Sequence, residues 1–498
     1  MSRQKRNIIF FHAESWDGRM LGLLGHPALA EATPNIDRIA REGKLFRNAY
    51  CSHPICCPSR ANMWSGRYTQ HCESWNNHRG LQPNMWSLLD ELPKTHDFAR
   101  FGKLDYRSGG HTVQARVTGW LGAVGIDRPS YSFDTAQGID IAENTDIRCH
   151  EGDWRRIDES IRFLEQRSES ERPFFLYISS ALVHPAFTTN RHWLDRIPTD
   201  AVDIPHSDDC NHPCIRYQRK SKSWRHGLDE DTVRTVRRIY FAMCAEADAM
   251  VGAVYDAMQR LGLADETYFV FSSDHGELAL EHQQYYKMSL YEGSVRVPLL
   301  VTGPNVPACG VSENLVSTID LCPTFMDMGG LASRDDLDGE NLLPLLSGQS
   351  TTSRNSAYAC FTGTTMNTSA FMLRKDNYKY NAYVGQSAQL FDLVADPGEL
   401  NDLSSDRPEL VRDLDAELRK IVDYEQTHRD WQAYCRSEFR QWRRGARRGL
   451  YVADAYSLLG NPSSDYWQIM DSCFTGYDEN DEAAVQEWLD QGADSIEG

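Results

Sequence analysis

Apolar residues fall into short unbroken runs separated by longer stretches with helical periodicity. Four runs read as buried strands: Asn7–Ala13, Phe174–Ser180, Tyr268–Ser273 and Pro298–Thr302. Between the second and third, Val233, Val236, Ile239, Tyr240, Met243, Ala247, Met250, Val251, Val254 and Met258 recur at three- and four-residue steps. That spacing predicts one helix from Asp229 to Leu261 with a single buried face, and its methionines read as core packing. Strands alternating with helices predict an α/β sandwich around a large, mainly parallel sheet. Ligands of such sheets gather beyond the carboxyl ends of the strands. Here those ends carry Glu14, His184 and the pair Asp274-His275.

The texture changes near residue 350, where LLSGQSTTSRNS is a polar Ser/Thr stretch. We therefore divide the chain into a main unit at 1–350, a small unit at 351–424 and an extension at 425–498. FMLRKDNYKYNAY reads as paired strands and ADPG as a turn, which predicts a small C-terminal antiparallel sheet. The extension holds Arg440, Arg443, Arg444, Arg447 and Arg448, then an acidic end. It reads as a helical element packing on its own body or on another copy, so a homo-oligomer is expected.

Composition narrows the classes. The chain has 498 residues, of which 41% are hydrophobic and 25% charged, as in ordinary globular proteins. Lys and Arg total 52 against 71 Asp and Glu, a net charge of -19. General nucleic-acid binding and attachment to an anionic membrane are excluded by that field. An anionic substrate would need a site that reverses its sign locally. No run approaches the ~20 apolar residues of a membrane span. The basic start is followed by an apolar run from Ile8 to Phe11, too short for a secretory signal. The 13 cysteines are odd in number and form no repeat, so they read as mostly buried thiols. A cytoplasmic protein is the expectation.

The segment Cys56-Cys57-Pro58-Ser59-Arg60-Ala61-Asn62-Met63-Trp64-Ser65-Gly66-Arg67 carries the most chemistry. Adjacent cysteines have the wrong spacing for a zinc knuckle, and a redox pair has intervening residues. A phosphatase-type thiol loop needs an Arg at a fixed distance that neither Cys56 nor Cys57 meets. A chance structural loop stays open on the residues alone. The segment resembles the maturation motif of type I sulfatases, Cys-x-Pro-Ser-Arg followed by Gly, within the alkaline phosphatase superfamily. CCPSR, ESWNN, FGKLDY, AMCAE, SSDHGELA and YKMS are similar to segments of the arylsulfatase K (glucuronate-2-sulfatase) branch.

The resemblance implies an alkaline-phosphatase-like sandwich and a hydrolase of sulfate monoesters. It implies that a maturation enzyme oxidises Cys56 to Cα-formylglycine, whose hydrate is the nucleophile. A hydrate suits sulfuryl transfer: one hydroxyl attacks sulfur, and the other then loses its proton and expels sulfate. The metal ligands implied are Glu14, position 56, Asp274 and His275, with calcium expected and magnesium or manganese as alternatives. Glu14 departs from the family's Asp by one methylene, and Asp17 is weighed as a substitute. Lys103 and Lys287 match family lysines that clamp sulfate, and Asn77 and His212 are further substrate contacts. Arg60 orients the nucleophile. His184, in an expected strand followed by His-Pro, donates to the leaving oxygen, and His111 is the base.

The substrate expected is a small aryl, alkyl or sugar sulfate, with a 2-O-sulfated uronate as the alternative. A phosphonate monoester or phosphodiester hydrolase of the same superfamily is the competing enzyme. A non-catalytic anion binder is the competing class, motivated by Glu14 and by Asp105 where the family places His two residues after its Lys.

Overall fold

The computed structural model describes residues 5–77, 79–107, 139–169, 172–221, 228–350, 354–363, 365–366 and 368–434. The expected residues Arg440, Arg443, Arg444, Arg447 and Arg448, and also His111, lie outside the described residues.

Thirteen strands are described, and seven of them form the main sheet. These are β1 (Asn7–Ala13), β2 (Lys44–Tyr50), β3 (Asp97–Gly102), β5 (Phe174–Ser179), β7 (Thr267–Ser273), β8 (Arg296–Thr302) and β9 (Gly310–Ser317). The order is β3-β5-β1-β7-β8-β2-β9. β8 pairs antiparallel with both neighbours and every other pairing is parallel. β4 (Asp140–Ala142) and β6 (Thr188–Asn190) form a separate parallel pair.

Alternation along the central strands divides their side chains between two apolar layers. Ile9, Phe11, Leu176, Ile178, Phe269 and Phe271 face one layer. Ile8, Phe10, Phe175, Tyr177 and Val270 face the other. Burial on both faces is why these strands read as continuous apolar runs.

The helices that matter to the site are α1 (Pro34–Glu42), α2 (Cys56–Ser65), α3 (Glu151–Glu165), α4 (Pro213–Ser221), α5 (Glu230–Arg260) and α6 (Pro408–Ile421). α5 is the long helix expected, and Asp229 caps it by accepting from Thr232 N. Such a cap contributes about 1 kcal/mol. α1, α3 and α5 cover the first layer. α2 lies in the second, and all ten of its residues are buried. Phe10 of β1 packs on Trp64 of α2, on Tyr177 and on Phe325, with ring centroids 5.1 to 6.0 Å apart. This contact fixes the helix that carries Cys56 against the central strand. Phe10→Ala would cost about 3–5 kcal/mol.

A four-stranded antiparallel sheet follows: β10 (Ser356–Phe361), β11 (Ala370–Lys375), β12 (Tyr378–Tyr383) and β13 (Gln389–Asp392). α6 packs beside it through Leu414 and Leu418. Ala357, Ala359, Phe361, Ala370 and Met372 belong to the second layer of the main unit. The small sheet therefore shares a core with the large one.

Candidate active site

Four segments converge beyond the carboxyl ends of the central strands. β1 is followed at once by Glu14 and β7 by Asp274-His275, and β5 leads to His184. The fourth is the start of α2, where Cys56 is the first helical residue. Pro58 is tolerated there because first-turn N–H groups have no helical acceptor. The positive end of the helix faces the reacting position. Gly66 ends the helix in the left-handed region at φ 66°, its N–H bonded to Asn62 O. This explains why the motif closes on glycine.

Cys56 Sγ lies 3.3 Å from Glu14 Oε1 and 3.2 Å from His275 Nε2. The sulfur marks the place that an oxygen of a formylglycine hydrate would take. Asp274 is fixed by its surroundings: Arg60 Nε donates to Oδ2 at 2.9 Å, and Ser15 N and His275 N donate to Oδ1. Ser59 Oγ donates to the Asp274 carbonyl. His275 Nδ1 donates to Gly276 O at 3.0 Å, which leaves a lone pair on Nε2 toward Cys56. Glu14, Cys56 and His184 form one compact set of possible ligand atoms, and Cys56, Asp274 and His275 form another.

These donors fit a divalent cation. Cys56 is common to both sets, with Glu14 and His184 on one side of it and Asp274 and His275 on the other, so the donors are carboxylate oxygens with imidazole nitrogens. Glu14 reaches position 56 despite its extra methylene. Asp17 does not join it. Its carboxylate is taken by Arg19, with Nη2 2.6 Å from Oδ2, and Arg19 also pairs with Glu281. Asp17 is thus corrected from substitute ligand to buried partner of the half-buried Arg19.

Arg60 is fully buried. Its Nη1 donates to Tyr177 Oη at 2.9 Å, to Ser179 Oγ at 3.1 Å and to Lys103 O at 3.1 Å. Its Nη2 has no hydrogen-bond partner among the described residues and lies 3.9 Å from Glu14 Oε2. That donor is available to an oxygen at the reacting position. Tyr177 and Ser179 were not foreseen. They lie two apart on β5, so they share a face, but nothing in the sequence tells which cation they hold.

Lys103 Nζ lies 2.7 Å from Glu14 Oε1 and 3.0 Å from Asp105 Oδ2. Lys287 Nζ donates to His184 Nε2 at 2.7 Å. Asn77 Oδ1 accepts from Cys57 N at 3.0 Å, beside the reacting residue. The expected sulfate lysines and Asn77 are thus gathered here. His212 is placed elsewhere. Its Nε2 donates to Ser387 O at 2.8 Å, its Nδ1 accepts from Cys214 N, and its ring packs on Tyr383 of β12. These contacts tie the main unit to the small sheet, so the geometry gives His212 a tethering role in place of the substrate contact expected.

Three cations, Arg60, Lys103 and Lys287, offset the carboxylates of Glu14, Asp105 and Asp274 in the site. Burial would raise the Glu14 carboxyl, but Lys103 foremost holds it well below the usual carboxylate range. Burial also works against Asp274, yet His275 and Arg60 keep its carboxyl low. Burial lowers His275 to about 3, so the ring is neutral. Burial pushes the Cys56 thiol up to about 11, against the pull of Lys103 and Lys287. Burial and then Lys287 lower His184 to about 4. His184 Nδ1 donates to Pro185 O, so Nε2 accepts the Lys287 proton. In this arrangement His184 faces the site as an acceptor, not yet as the donor expected.

The family model described as Sulfatase matches residues 6–331. The model described as N-sulphoglucosamine sulphohydrolase, C-terminal, matches residues 280–426. Arylsulfatase K of Canis lupus familiaris is 36% identical over 470 residues, covering 88% of this chain and 86% of that protein. Arylsulfatase K of Homo sapiens is 35% identical over 474 residues, with coverage of 88% and 86%. Among solved structures, the phosphonate monoester hydrolase of Agrobacterium radiobacter aligns with a TM-score of 0.67 at 22% identity, covering 84% of this chain and 95% of that one. A 2-O GAG sulfatase aligns at 0.66 and 20% identity, covering 86% and 94%. The structural likeness shows the alkaline-phosphatase-like fold, and the sequence relatives show the family. The chain belongs to the sulfatase family and is a sulfuric ester hydrolase.

Proposed function

We propose that this sulfatase works through a formylglycine made from Cys56 by a maturation enzyme, beside one calcium ion held by Glu14, position 56, Asp274 and His275. The observation that carries the reading is the position of Cys56 Sγ, 3.3 Å from Glu14 and 3.2 Å from His275, at the start of a buried helix. The high thiol pKa supports it, because an unmodified Cys56 would be a protonated, weak nucleophile. When present, the hydrated aldehyde would supply the attacking hydroxyl and the cation would hold the sulfuryl oxygens and lower that hydroxyl's pKa.

The chain's own residues do the rest. Arg60 Nη2 orients an oxygen at position 56, while its other nitrogens are fixed by Asp274, Tyr177, Ser179 and Lys103. Lys103 and Lys287 supply cations to the sulfuryl oxygens, where charge builds in the transition state. The proton for the leaving oxygen comes from the Lys287–His184 pair, held between Nζ and Nε2. Asn77 fixes the backbone next to the nucleophile. His111 is the proposed base that resets the site.

The substrate we propose is a small aryl, alkyl or sugar sulfate. The Arylsulfatase K relatives and the 2-O GAG sulfatase neighbour make a 2-O-sulfated uronate the alternative. Sulfate release should be measured across aryl, choline, sugar and uronate sulfates, with a phenylphosphonate ester in parallel. Turnover of a sulfate ester that Cys56→Ala lowers by several orders of magnitude is expected. Faster turnover of the phosphonate ester than of any sulfate would overturn the reading.

A further inference from the structure

Lys287 is carried by an unusual stretch of backbone. Ala279, Leu280, His282, Gln283, Tyr286 and Met288 all have positive φ, between 44° and 76°. Residues with side chains disfavour this region, so such a stretch persists only where its surroundings over-determine it. Lys287 sits between two of these residues.

The restraint comes from side chains outside the stretch. Arg237 Nη1 donates to Ala279 O at 2.9 Å. Two successive residues of α4 then grip the chain on either side of Lys287. Arg219 Nε donates to His282 O at 3.0 Å, and Gln218 Nε2 donates to Met288 O at 2.7 Å. Asp208 Oδ2 joins the clamp to the loop, lying 2.7 Å from both Arg219 Nη2 and His282 Nδ1. The His282 ring is stacked on Tyr291 at 3.5 Å. Met288 N donates to Pro54 O, two residues before Cys56, so the far end of the stretch is tied to the entry of α2. Arg219 and Asp208 are buried. Their bonds are to the loop and its neighbours, and Lys287 itself bonds His184.

We propose that Arg219, braced by Asp208, and its neighbour Gln218 are positioning residues that aim the Lys287 ammonium at the sulfuryl group. This rests on the reading of Lys287 as a sulfate-binding cation. The clamp holds left-handed backbone that would otherwise relax and carry Nζ away from His184 Nε2. A displacement of about 1 Å at such a group is enough to cost about 100-fold in rate.

The test is a double-mutant cycle on the matured enzyme, with p-nitrophenyl sulfate as substrate and inorganic sulfate as inhibitor. Arg219→Gln should lower kcat/KM by about 10- to 100-fold and weaken sulfate inhibition. On a Lys287→Ala background it should add little, because it acts through Lys287. Gln218→Ala should show a smaller loss with the same non-additivity, and it serves if Arg219→Gln fails to fold. A clamp variant that lowers Tm but leaves kcat/KM and sulfate inhibition unchanged overturns the proposal. So do losses that multiply with that of Lys287→Ala. If Lys287→Ala alone leaves sulfate inhibition and kcat/KM intact, the reading of Lys287 falls, and the proposal falls with it.

Discussion

Glu14 Oε1 stands between two partners, 3.3 Å from Cys56 Sγ and 2.7 Å from Lys103 Nζ. The longer side chain thus brings its carboxylate to the centre, and shortening it should pull the oxygen back. Glu14→Asp is expected to weaken calcium binding about tenfold, and Glu14→Gln, which keeps the length but removes the charge, about 100-fold or more. Metal content after dialysis and calcium titration of activity check this. Full metal retention by Glu14→Gln would remove residue 14 from the ligand set.

Arg60 has no tolerant substitute. Lys cannot reproduce a planar head that meets Asp274, Tyr177, Ser179 and Lys103 O at once. Arg60→Lys should lower kcat by about 100-fold or more. Arg60→Ala should also cost roughly 3–5 kcal/mol of stability, because Asp274 would be left buried without its hydrogen-bonded guanidinium partner. Kinetics and denaturant unfolding report the two effects separately.

Lys103 leads the groups that hold the Glu14 carboxyl low. Its removal should let burial raise that carboxyl, so protons compete with the metal at higher pH. In Lys103→Ala the acid limb of the calcium-loading curve should move up in pH, while the alkaline limb stays in place. An unmoved acid limb would show that another cation controls Glu14.

A second pH effect lies away from the reacting centre. His150 Nδ1 is 2.7 Å from Glu246 Oε2, and Trp154 Nε1 also donates to Glu246. Burial opposes the charged ring, but Cys149 and Glu246 outweigh it and raise His150 from 6.5 to about 10. A folded pKa above the unfolded one stabilises fully below pH 6.5 and is lost as pH rises through about 10. Thermal unfolding should therefore show Tm falling across that window, and His150→Asn should flatten the fall.

The legible parts of the molecule share a physical cause. β1, β5, β7 and β8 match the expected strands within two residues, because burial on both faces makes them continuous apolar runs. β11 and β12 match the paired strands expected in FMLRKDNYKYNAY. β2, β3 and β9 were not, since Lys44, Arg47, Asp97, Arg100 and Glu313 interrupt their apolar pattern. In the site, Glu14, Cys56, Asp274 and His275 stood out because strand ends and the family motif mark them. The supports of Arg60 and Lys287 did not. Tyr177, Ser179, Gln218 and Arg219 meet their partners only through crossings between distant segments, and His212, expected as a substrate contact, bonds Ser387 O and packs on Tyr383 of the small sheet.

The most direct test is the mass of the peptide containing residue 56, taken from enzyme whose sulfate release has just been measured. The account predicts a species about 18 Da lighter than the thiol form, in a fraction that tracks specific activity across preparations. Full activity with the Cys56 thiol intact would contradict it.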